Sequence, residues 1–564
     1  MLTPEWVSVE EAAEIADCSV ATMRRWAKHG RVKAQKLGKG WIIERATVPA
    51  RRGRRTASAS SAAGLLDFDV TLRHVRNEDL RNPWVPDVLG WRDVIDFPAL
   101  TIRAAEEIIA GTRPIEAPIA VDVPKTAFFT RNGQMLPMPE AVAYHGLVAS
   151  FADRAEKRRR PCVFSARRAA EPTKRLLEEG TALWKQWAAH VVERIRAGNE
   201  YMMSTDITAY YDCIPHSLLL AEVEAYVDDA AVVAQLRRML GEWGAAQVGI
   251  PQGPDASRLL GNIYLYPVDE AMDNDPRWEY TRYMDDIRIV SRSRKALRAA
   301  LRLLERECKR RRLVLSAQKT ELLVGTAAID DFEDPSLNSA QALIRFGRTR
   351  RARQALRKIL DKALKEEGDI NVRHARFSLY RLWMSRDRLR LYKVLENLEY
   401  LGPVAKHAVT YIRPWLDNAR VKEYITLFLA DDERNESPFI EAWLYALLVE
   451  TPGEVPPSWV GRARQLSQDG NAPDYLRGMA MNLCGHAGVP TDVATLEREA
   501  THARHPYLAR AALVALARAG RLKTHVAKKA VARHPDLETT ITYLRGRNNL
   551  PSLIYADRVV PIPT

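Results

Sequence analysis

The stretch Arg282-Tyr283-Met284-Asp285-Asp286-Ile287-Arg288-Ile289-Val290 decides how the rest of the chain is interpreted. Two adjacent carboxylates stand between an aromatic residue and a run of β-branched residues, which predicts a strand, a tight turn and a second strand. Adjacent carboxylates repel each other, so they belong either to a solvated turn or to a site where a cation neutralises them. Taken alone, the Asp285-Asp286 pair is more typical of a solvated turn. The evidence for a cation site comes from segments elsewhere in the sequence.

Three other segments carry residues of matching chemistry. The stretch Tyr201 to Asp212 predicts a strand that ends at the carboxylate of Asp206, with two tyrosines just beyond it. Gly249-Ile-Pro-Gln-Gly-Pro254 predicts a loop followed by a helix, and Lys319 follows the strand-like run 313–315. Aspartates about eighty residues apart converge only when their strands lie side by side, so we expect a palm-like antiparallel sheet.

Taken in order, these segments resemble the palm motifs of reverse transcriptases over roughly residues 67–330. The form Gly-Pro-Asp-Ala-Ser-Arg after the loop, and Arg-Tyr-Met-Asp-Asp-Ile-Arg-Ile, look closest to the bacterial abortive-infection and defence-associated group. The resemblance implies an RNA-directed DNA polymerase that adds dNTPs, with two Mg2+ ions roughly 3.5 to 4 Å apart and Mn2+ as an alternative.

The resemblance also implies a role for each residue of the site. Asp206, Asp285 and Asp286 would be the catalytic carboxylates and metal ligands, with the backbone carbonyl of Ile207 as a further ligand. Lys319 would be the general acid for the leaving pyrophosphate. The incoming nucleotide would be held by Lys125, Arg131, Tyr211, Gln252 and Gly253. Among these, Tyr211 would exclude ribonucleotides at the sugar 2′ position, and Lys125 and Arg131 would hold the triphosphate.

The N-terminus predicts a small DNA-binding domain. Ser8-Val-Glu-Glu11 has the form of a capping box, Ser19 begins a second helix, and Gly38-Lys-Gly40 predicts a hairpin wing. The run 8–47 resembles the winged helix-turn-helix of the excisionase and MerR-like families. The implied contacts to nucleic acid are made by Thr22, Arg24, Arg25, Lys28 and Lys39. The alternative is a small helical domain used for protein contacts.

Four parts are therefore expected in a multidomain α+β chain. They are a winged helix-turn-helix (1–48), a flexible basic linker (49–66), reverse-transcriptase fingers and palm (67–330), and an α-helical thumb or repeat domain (331–564). Within the fingers, Asn132-Gly133 predicts the turn of a hairpin. Helices ending at Gly402-Pro403 and Gly520 suggest a HEAT-like solenoid, which could bind nucleic acid or a second copy of the chain.

Composition bounds the function class. Over 564 residues, 85 Lys and Arg face 71 Asp and Glu, and +6 of the net +14 falls within residues 1–66, which favours a polyanionic partner such as RNA or DNA. The five cysteines show no Cys-x-x-Cys spacing, so neither a disulfide framework nor a zinc site is indicated. We find no apolar run of 18 to 20 residues and no signal segment, so a cytoplasmic location without a membrane is expected.

Three functions stay open at this point. The first is copying of an RNA template in anti-phage defence. The second is template-independent extension of a protein hydroxyl, as in some abortive-infection relatives; no tyrosine precedes Tyr144, so a Ser, a Thr or a tyrosine elsewhere, such as Tyr555, would have to prime. The third is a nucleic-acid-binding regulator whose palm binds RNA without catalysis.

Overall fold

The chain folds into two compact units, each assembled from separate stretches of sequence. The computed structural model describes residues 6–15, 20–28, 32–37, 40–44, 66–81, 84–126, 129–364, 370–451, 454–545, 547 and 550–554. The N-terminal unit comprises the described residues within Met1–Glu78, Ala105–Ala117 and Pro139–Phe332. The C-terminal unit comprises those within Asp79–Ala104, Pro118–Met138 and Glu333–Thr564.

The first domain of the N-terminal unit is a helix-turn-helix with a small sheet. Its elements are β1 (Trp6–Ser8), α1 (Val9–Ile15), α2 (Val20–Lys28), β2 (Ala34–Leu37) and β3 (Gly40–Glu44). The strands pair antiparallel in the order β1-β3-β2, so the predicted hairpin wing is present. The Ser8 hydroxyl accepts from the Glu11 N–H at 3.1 Å, and the Glu11 carboxylate accepts from the Ser8 N–H at 3.4 Å. The predicted capping box is thus confirmed.

The larger domain of the N-terminal unit contains a four-stranded antiparallel sheet. Its strands are β6 (Tyr201–Asp206), β7 (Glu279–Tyr283), β8 (Asp286–Ser291) and β9 (Glu321–Val324), in the order β7-β8-β6-β9. The predicted palm-like sheet is confirmed, including the strand, turn and strand around Asp285.

Within the described residues, eight helices accompany this sheet in the same unit, and those that contact its strands include Gly180–Arg196, Arg294–Arg310 and Thr326–Asp330. The eight are α3 (Phe68–Asn77), α6 (Met138–Arg158), α7 (Gly180–Arg196), α8 (His216–Val223), α9 (Ala230–Trp243), α10 (Asp255–Met272), α11 (Arg294–Arg310) and α12 (Thr326–Asp330). Trp187 of α7 is fully buried, and its indole N–H donates to the Thr281 hydroxyl of β7 at 2.9 Å. Helix α11 buries Leu297, Ala300 and Leu304 on one face and leaves its basic residues outside.

The C-terminal unit is almost entirely helical. It contains α4 (Arg92–Asp96), most of α5 (Pro98–Ala110, divided at Ala105), β4 (Ile119–Pro124), β5 (Thr130–Met135), α13 (Pro335–Arg345), α14 (Thr349–Ala363), α15 (Val372–Met384), α16 (Leu391–Glu396), α17 (Ala405–Ile412), α18 (Ala419–Ala430), α19 (Pro438–Leu448), α20 (Pro457–Gln468), α21 (Asp474–Ala487), α22 (Val493–His502), α23 (Pro506–Arg518), α24 (Thr524–Arg533) and α25 (Leu537–Leu544). Pro506 lies at the first turn of α23 and Gly520 follows its end with φ of 64°, as expected for helix boundaries. A HEAT-like repeat stays a prediction.

The hairpin in this unit corrects one expectation. Strand β4 pairs with β5 in the register Val121↔Gly133 and Asp122↔Asn132, so Asn132-Gly133 lies inside a strand. The turn comes earlier, where the Lys125 N–H donates to the Phe129 carbonyl at 2.7 Å. Glycine is required at 133 for packing: a Cβ there would stand 2.7 Å from the Trp84 ring and from the Val123 side chain.

The division into units also differs from the expected domain borders. The break between Phe332 and Glu333 lies close to the border expected after residue 330. However, residues 79–104 and 118–138, which we expected with the palm, group with the C-terminal unit. The reason is burial: Val88, Leu89 and Val121 belong to the same core cluster as residues of the helices from α13 onward. Within the described ranges, no helix has the length and apolar character needed to cross a bilayer.

Candidate active site in the N-terminal unit

Strand pairing brings the three predicted carboxylates together. Asp206 is the last residue of β6 and Asp286 the first of β8, and the two are direct partners in the antiparallel ladder. Directly opposed residues of such a ladder have Cβ atoms about 4.5 to 5.5 Å apart on one face of the sheet. Asp285 lies in the turn immediately before β8. The convergence predicted for acids eighty residues apart is therefore present.

The carboxylates strongly affect one another. Burial and the charges of Asp206 and Asp286 raise the pKa of Asp285 to about 7. Burial also raises the pKa of Asp286, with the charge of Asp206 adding to the effect and the Arg288 guanidinium opposing it. Shifts of this direction indicate crowded negative charge in a poorly solvated place, which a cation would relieve.

Lys319 approaches the same carboxylates from the next segment of chain. The Thr208 N–H donates to the Val314 carbonyl at 2.9 Å, and the Ser316 N–H donates to the Asp206 carbonyl at 2.8 Å. This pairing brings Lys319 to Asp206, and its ammonium donates to the Asp206 carboxylate. Although burial lowers it, the pKa of Lys319 is raised by that hydrogen bond and by the nearby carboxylate charges, so the side chain stays protonated.

Ile207 lies between those two backbone hydrogen bonds. Its side chain is buried, and it faces Leu315 in an isolated antiparallel bridge. Because the bonds of this bridge are made by the residues on either side, the Ile207 carbonyl is not used in the pairing. Its role as a metal ligand stays a prediction.

A buried polar network supports the turn that carries Asp285. Arg282 is fully buried, and its guanidinium donates to both carboxylate oxygens of Asp269 at 2.7 Å. The same guanidinium donates to the Asn262 side chain at 2.6 Å and to the Met284 carbonyl at 3.1 Å. The Ser165 hydroxyl accepts from the Met284 N–H at 2.7 Å. Both backbone groups of Met284, the residue before Asp285, are therefore held by buried side chains.

This network was not predicted from the sequence, although part of it could have been. An arginine that is buried between the aromatic residues of a strand requires a buried acid, which points to a partner within the molecule. Arg282 fits that description, but only the fold identifies Asp269 as its partner. Met284 has φ of 55°, a region costly for a side chain of its type, and the network holds it there.

The loop residues predicted to meet the nucleotide are connected to Tyr211, which is close enough to Asp285 to be affected by its charge. The Ile250 N–H donates to the Tyr211 carbonyl at 3.1 Å, which ties the Gly-Pro loop to the tyrosine. Burial, opposed by Arg258 and assisted by the charge of Asp285, raises the pKa of Tyr211. Gly253 has φ of 137°, and the side-chain oxygen of Gln252 is buried without a hydrogen-bond partner among the described residues. An orphaned acceptor in this position is what a bound ligand would satisfy.

The two fingers residues belong to the other unit. Lys125 follows β4, and Arg131 on β5 lies over the Trp84 ring at 5.9 Å from its centroid. Both are part of the C-terminal unit, so their contact with a triphosphate stays a prediction.

In the helix-turn-helix, two of the proposed contact residues carry ion pairs. Arg24 pairs with Glu10 at 3.2 Å, and the Lys28 ammonium pairs with Glu270 of α10. Both pairs are exposed, so each contributes little and could be exchanged for phosphate. The side chains of Thr22 and Arg25, and Lys39 as a whole, lie outside the described residues.

The donors of the candidate site fit a hard divalent cation in chemistry. Asp206, Asp285 and Asp286 supply carboxylate oxygens, the ligand type that Mg2+ prefers, and their mutual repulsion favours a bound cation. Among the residues the structure describes, no three His, Cys, Asp or Glu side chains form a ready-made metal cluster. The Lys319 ammonium supplies the positive charge at Asp206 instead. The metal-ligand assignments therefore stay predictions.

Comparison with known proteins identifies the domains. Residues 163–401 match the family model described as reverse transcriptase (RNA-dependent DNA polymerase), and residues 6–50 match the model of a helix-turn-helix domain. The first match includes all three carboxylates and extends beyond Phe332 into helices of the C-terminal unit.

Individual relatives are distant. An uncharacterized 91 kDa protein in the cob intron of Schizosaccharomyces pombe is 32% identical over 84 residues, which are 14% of this chain and 10% of that protein. The chain thus matches about a tenth of the length of this curated relative. Telomerase from Candida albicans, solved with a fragment of telomeric RNA, matches with a TM-score of 0.31 and 8% identity over 57% of this chain and 65% of that one, a likeness too slight to carry an argument.

The two family matches agree with the fold described above. Both predicted domains have a matching family model, and the description of the first names an RNA-dependent DNA polymerase. The chain contains a reverse transcriptase domain, and a helix-turn-helix domain precedes it.

Proposed function

We propose that the chain is an RNA-directed DNA polymerase that adds dNTPs to a primer at Asp206, Asp285 and Asp286. The observation that carries the proposal is the convergence of these carboxylates at the ends of two paired strands, inside the matched domain. Their crowding, expressed in the raised pKa of Asp285, supports a site built for cations.

The chain's own residues would divide the work. Asp206, Asp285 and Asp286 would hold two Mg2+ ions, which when bound activate the primer hydroxyl and neutralise charge on the triphosphate. Lys319 is a cation beside Asp206 and would donate a proton to the departing pyrophosphate. The buried network of Arg282 and Ser165 would fix the turn, so that Asp285 needs little rearrangement before reaction.

Tyr211 and the Gly-Pro loop would select the nucleotide. The Tyr211 ring packs beside Tyr210, with centroids 5.5 Å apart, and the loop is hydrogen-bonded to its backbone. A ring fixed in this way would leave no room for a ribose 2′-hydroxyl. We expect Tyr211→Ala to admit ribonucleotides while retaining dNTP incorporation, measured by competition between the two.

The test of polymerase activity uses an end-labelled DNA primer on an RNA template. We expect extension with Mg2+ by the native chain and a loss of at least about a hundredfold in Asp206→Asn and Asp285→Asn. The matched control is Asp330→Asn, which changes an exposed carboxylate of the same unit. Equal extension by Asp285→Asn and the control would refute the proposed site.

Protein priming stays an alternative, but the first tyrosine of the chain, Tyr144, is poorly placed to act as the primer. Tyr144 is fully buried, and its hydroxyl is 2.9 Å from the Ser257 hydroxyl in the same unit. Tyr555 lies outside the described residues. Label from dNTPs that stays on the protein after denaturation and nuclease treatment, without added template, would favour protein priming over templated copying.

The N-terminal domain is proposed to bind DNA. The match of residues 6–50 and the basic balance of the first 66 residues support this role. We expect full-length Arg24→Ala, Lys28→Ala to bind duplex DNA more weakly, with a shallower salt dependence, while polymerase activity is retained. The regulator hypothesis would be favoured by two results together: the double variant loses DNA binding, and neither the native chain nor any variant incorporates dNTPs in a way that depends on the carboxylates.

A role in anti-phage defence is proposed on the resemblance of the motifs to the defence-associated group. The expected result is that bacteria expressing the native chain plate phage less efficiently than bacteria expressing Asp285→Asn. Equal plating on both across a phage panel would remove this part of the proposal.

A further inference from the structure

A basic surface lies at one end of three helices in the C-terminal unit. We name it the arginine tip and define it by Arg345, Phe346, Arg348, Arg350, Arg351 and Arg386. The first five residues occupy the end of α13, the link to α14 and the start of α14, and Arg386 follows α15. All six side chains are exposed.

Hydrogen bonds bring these three helix ends together. The Arg353 guanidinium of α14 donates to the Ser385 carbonyl at 3.0 Å, next to Arg386. Arg381 of α15 donates to the Gln341 side chain of α13 at 2.7 Å. A small cleft among the three helices is lined by Ile344, Thr349, Arg353 and Ser385, among others. The arginines of the tip therefore share one surface.

The charge of this surface is not neutralised. Within the described part of the chain, no acidic side chain pairs with any of the five arginines of the tip. Two other arginines of this region do have carboxylate partners: Arg357 of α14 pairs with Asp387, and Arg390, just before α16, pairs with Asp361 of α14 at 2.7 Å. The five arginines of the tip therefore repel one another, and a polyanion that covered them would relieve this repulsion.

An exposed aromatic ring stands among these arginines. Phe346 is 74% exposed, which is unusual for a large apolar side chain. Its backbone is fixed, because the Phe346 N–H donates to the Ala342 carbonyl at 2.9 Å and the Arg348 N–H to the Leu343 carbonyl at 2.8 Å. Gly347, with φ of 66°, makes this tight link possible. The ring is held in solvent by an ordered turn.

We propose that the arginine tip binds an unpaired strand of nucleic acid, RNA or DNA. The arginines would contact phosphates and Phe346 would stack on a base, the combination used by single-strand-binding surfaces. Arginine charge alone would suit any polyanion, including an acidic protein or a duplex, but only an unpaired base offers a free face to the ring. The proposal needs no catalysis at the carboxylates, so it goes beyond the polymerase function.

The first experiment tests charge at the tip. The full chain is titrated against a labelled 20-nucleotide oligouridylate at several salt concentrations, followed by fluorescence anisotropy. We expect Arg348→Ala, Arg350→Ala, Arg351→Ala to lower affinity more than tenfold and to reduce the salt slope by about 2. The control Lys295→Ala, Arg298→Ala, Arg302→Ala removes equal charge from exposed positions of α11. Equal losses in both triple variants would overturn the proposal.

The second experiment tests stacking. Phe346→Ala should weaken oligouridylate and oligothymidylate by about fivefold or more, and Phe346→Trp should retain binding. Leu427→Ala, which truncates another exposed apolar residue of this unit (60%), is the control and should bind normally. An unchanged affinity of Phe346→Ala for single strands, or an equal loss for duplex, would contradict stacking on an unpaired base.

The tip and the polymerase can fail independently. Binding is repeated with Asp285→Asn, which removes a carboxylate of the other unit and should leave oligonucleotide affinity unchanged. Far-ultraviolet circular dichroism and thermal unfolding exclude misfolded variants. An acidic peptide is also tested as a competitor of labelled oligouridylate. If it displaces the label at the same concentration as an unlabelled oligonucleotide, the surface fits a protein partner and the proposal is overturned.

Discussion

At the scale of single residues, the support beneath Asp285 is as informative as the carboxylates themselves. Met284 adopts a positive φ, and both of its backbone polar groups are bound, by Ser165 and by Arg282. Neither partner is close in sequence to the other, and Ser165 gives no motif that would reveal it. The carboxylates could be predicted because their chemistry is local to the motif, whereas their supports are defined only by the fold.

Removing one support should affect the site before it affects the fold. Ser165→Ala deletes the acceptor of the Met284 N–H, a loss of about 1 to 2 kcal/mol in the free energy of unfolding. Because the turn is then less ordered, we expect a higher Mg2+ concentration for half-maximal incorporation. Ser150→Ala, which deletes a hydroxyl bonded to the Leu147 carbonyl in the same unit, is the control. An unchanged Mg2+ dependence in Ser165→Ala would show that the hydroxyl has only a structural role.

The buried ion pair should be far more sensitive to the loss of one partner. Asp269→Asn leaves the Arg282 charge uncompensated in a fully buried place, so the free energy of unfolding should fall by about 3 to 5 kcal/mol. The double variant Asp269→Leu, Arg282→Met removes both charges and should recover part of that loss. Denaturant titration of both variants checks this, and a double variant less stable than Asp269→Asn would contradict the interpretation.

At the scale of elements, local signals gave reliable predictions where the interaction was itself local. The Ser8 capping box involves residues three apart, and it is present. Asn132-Gly133 is an equally strong turn signal by composition, yet it lies in the middle of β5. Glycine has two uses, permitting a turn and permitting close packing, and only the position of Trp84 decides between them here.

The packing role of Gly133 can be measured. Gly133→Ala forces a Cβ to within 2.7 Å of the Trp84 ring and the Val123 side chain, so we expect a loss of about 1 to 3 kcal/mol in stability. Gly461→Ala, in α20 with no atom within 4 Å of the new Cβ, should be neutral or stabilising by up to about 1 kcal/mol. Gly133→Ala as stable as the native chain in thermal unfolding would contradict the packing role.

At the scale of the whole molecule, each unit is assembled from stretches that the sequence keeps apart. Residues 79–104 and 118–138 share a core with helices more than two hundred residues away. Arg510 of α23, for example, is buried and paired with Asp93 of α4 at 2.8 Å. Periodicity predicts individual helices, such as those that end at Gly402-Pro403 and at Gly520, but it carries no information about which helices pack together. The four expected domains are continuous stretches of sequence, whereas each compact unit combines stretches that are far apart in the sequence.

Acidification should remove the stability that depends on two buried histidines, one in each unit, whereas Asp285, whose pKa is raised, contributes in the opposite direction. In the N-terminal unit burial lowers the pKa of His74 to about 4, and in the C-terminal unit burial lowers the pKa of His407 to about 4. Since the unfolded chain binds protons from about pH 6.5, stability is full above that pH and falls as pH drops towards 4. For buried His74 the loss reaches up to about 3 kcal/mol.

The matched variants separate this effect from general acid denaturation. His74→Gln should reduce the difference in unfolding midpoint between pH 7 and pH 5, while His525→Gln, at an exposed position, should not. An equal change in unfolding midpoint between pH 7 and pH 5 in the native chain, His74→Gln and His525→Gln would contradict the assignment of this pH dependence to His74.

We propose that Asp206, Asp285 and Asp286, where β6 ends and β8 begins, catalyse the copying of RNA into DNA. The most direct measurement gives the purified chain an RNA template of defined mixed sequence, a short DNA primer, four dNTPs and Mg2+, and sequences the product. We expect DNA complementary to the template from the native chain and from Asp330→Asn, and none from Asp285→Asn. Product whose sequence is independent of the template, or that forms equally with Asp285→Asn, would contradict it.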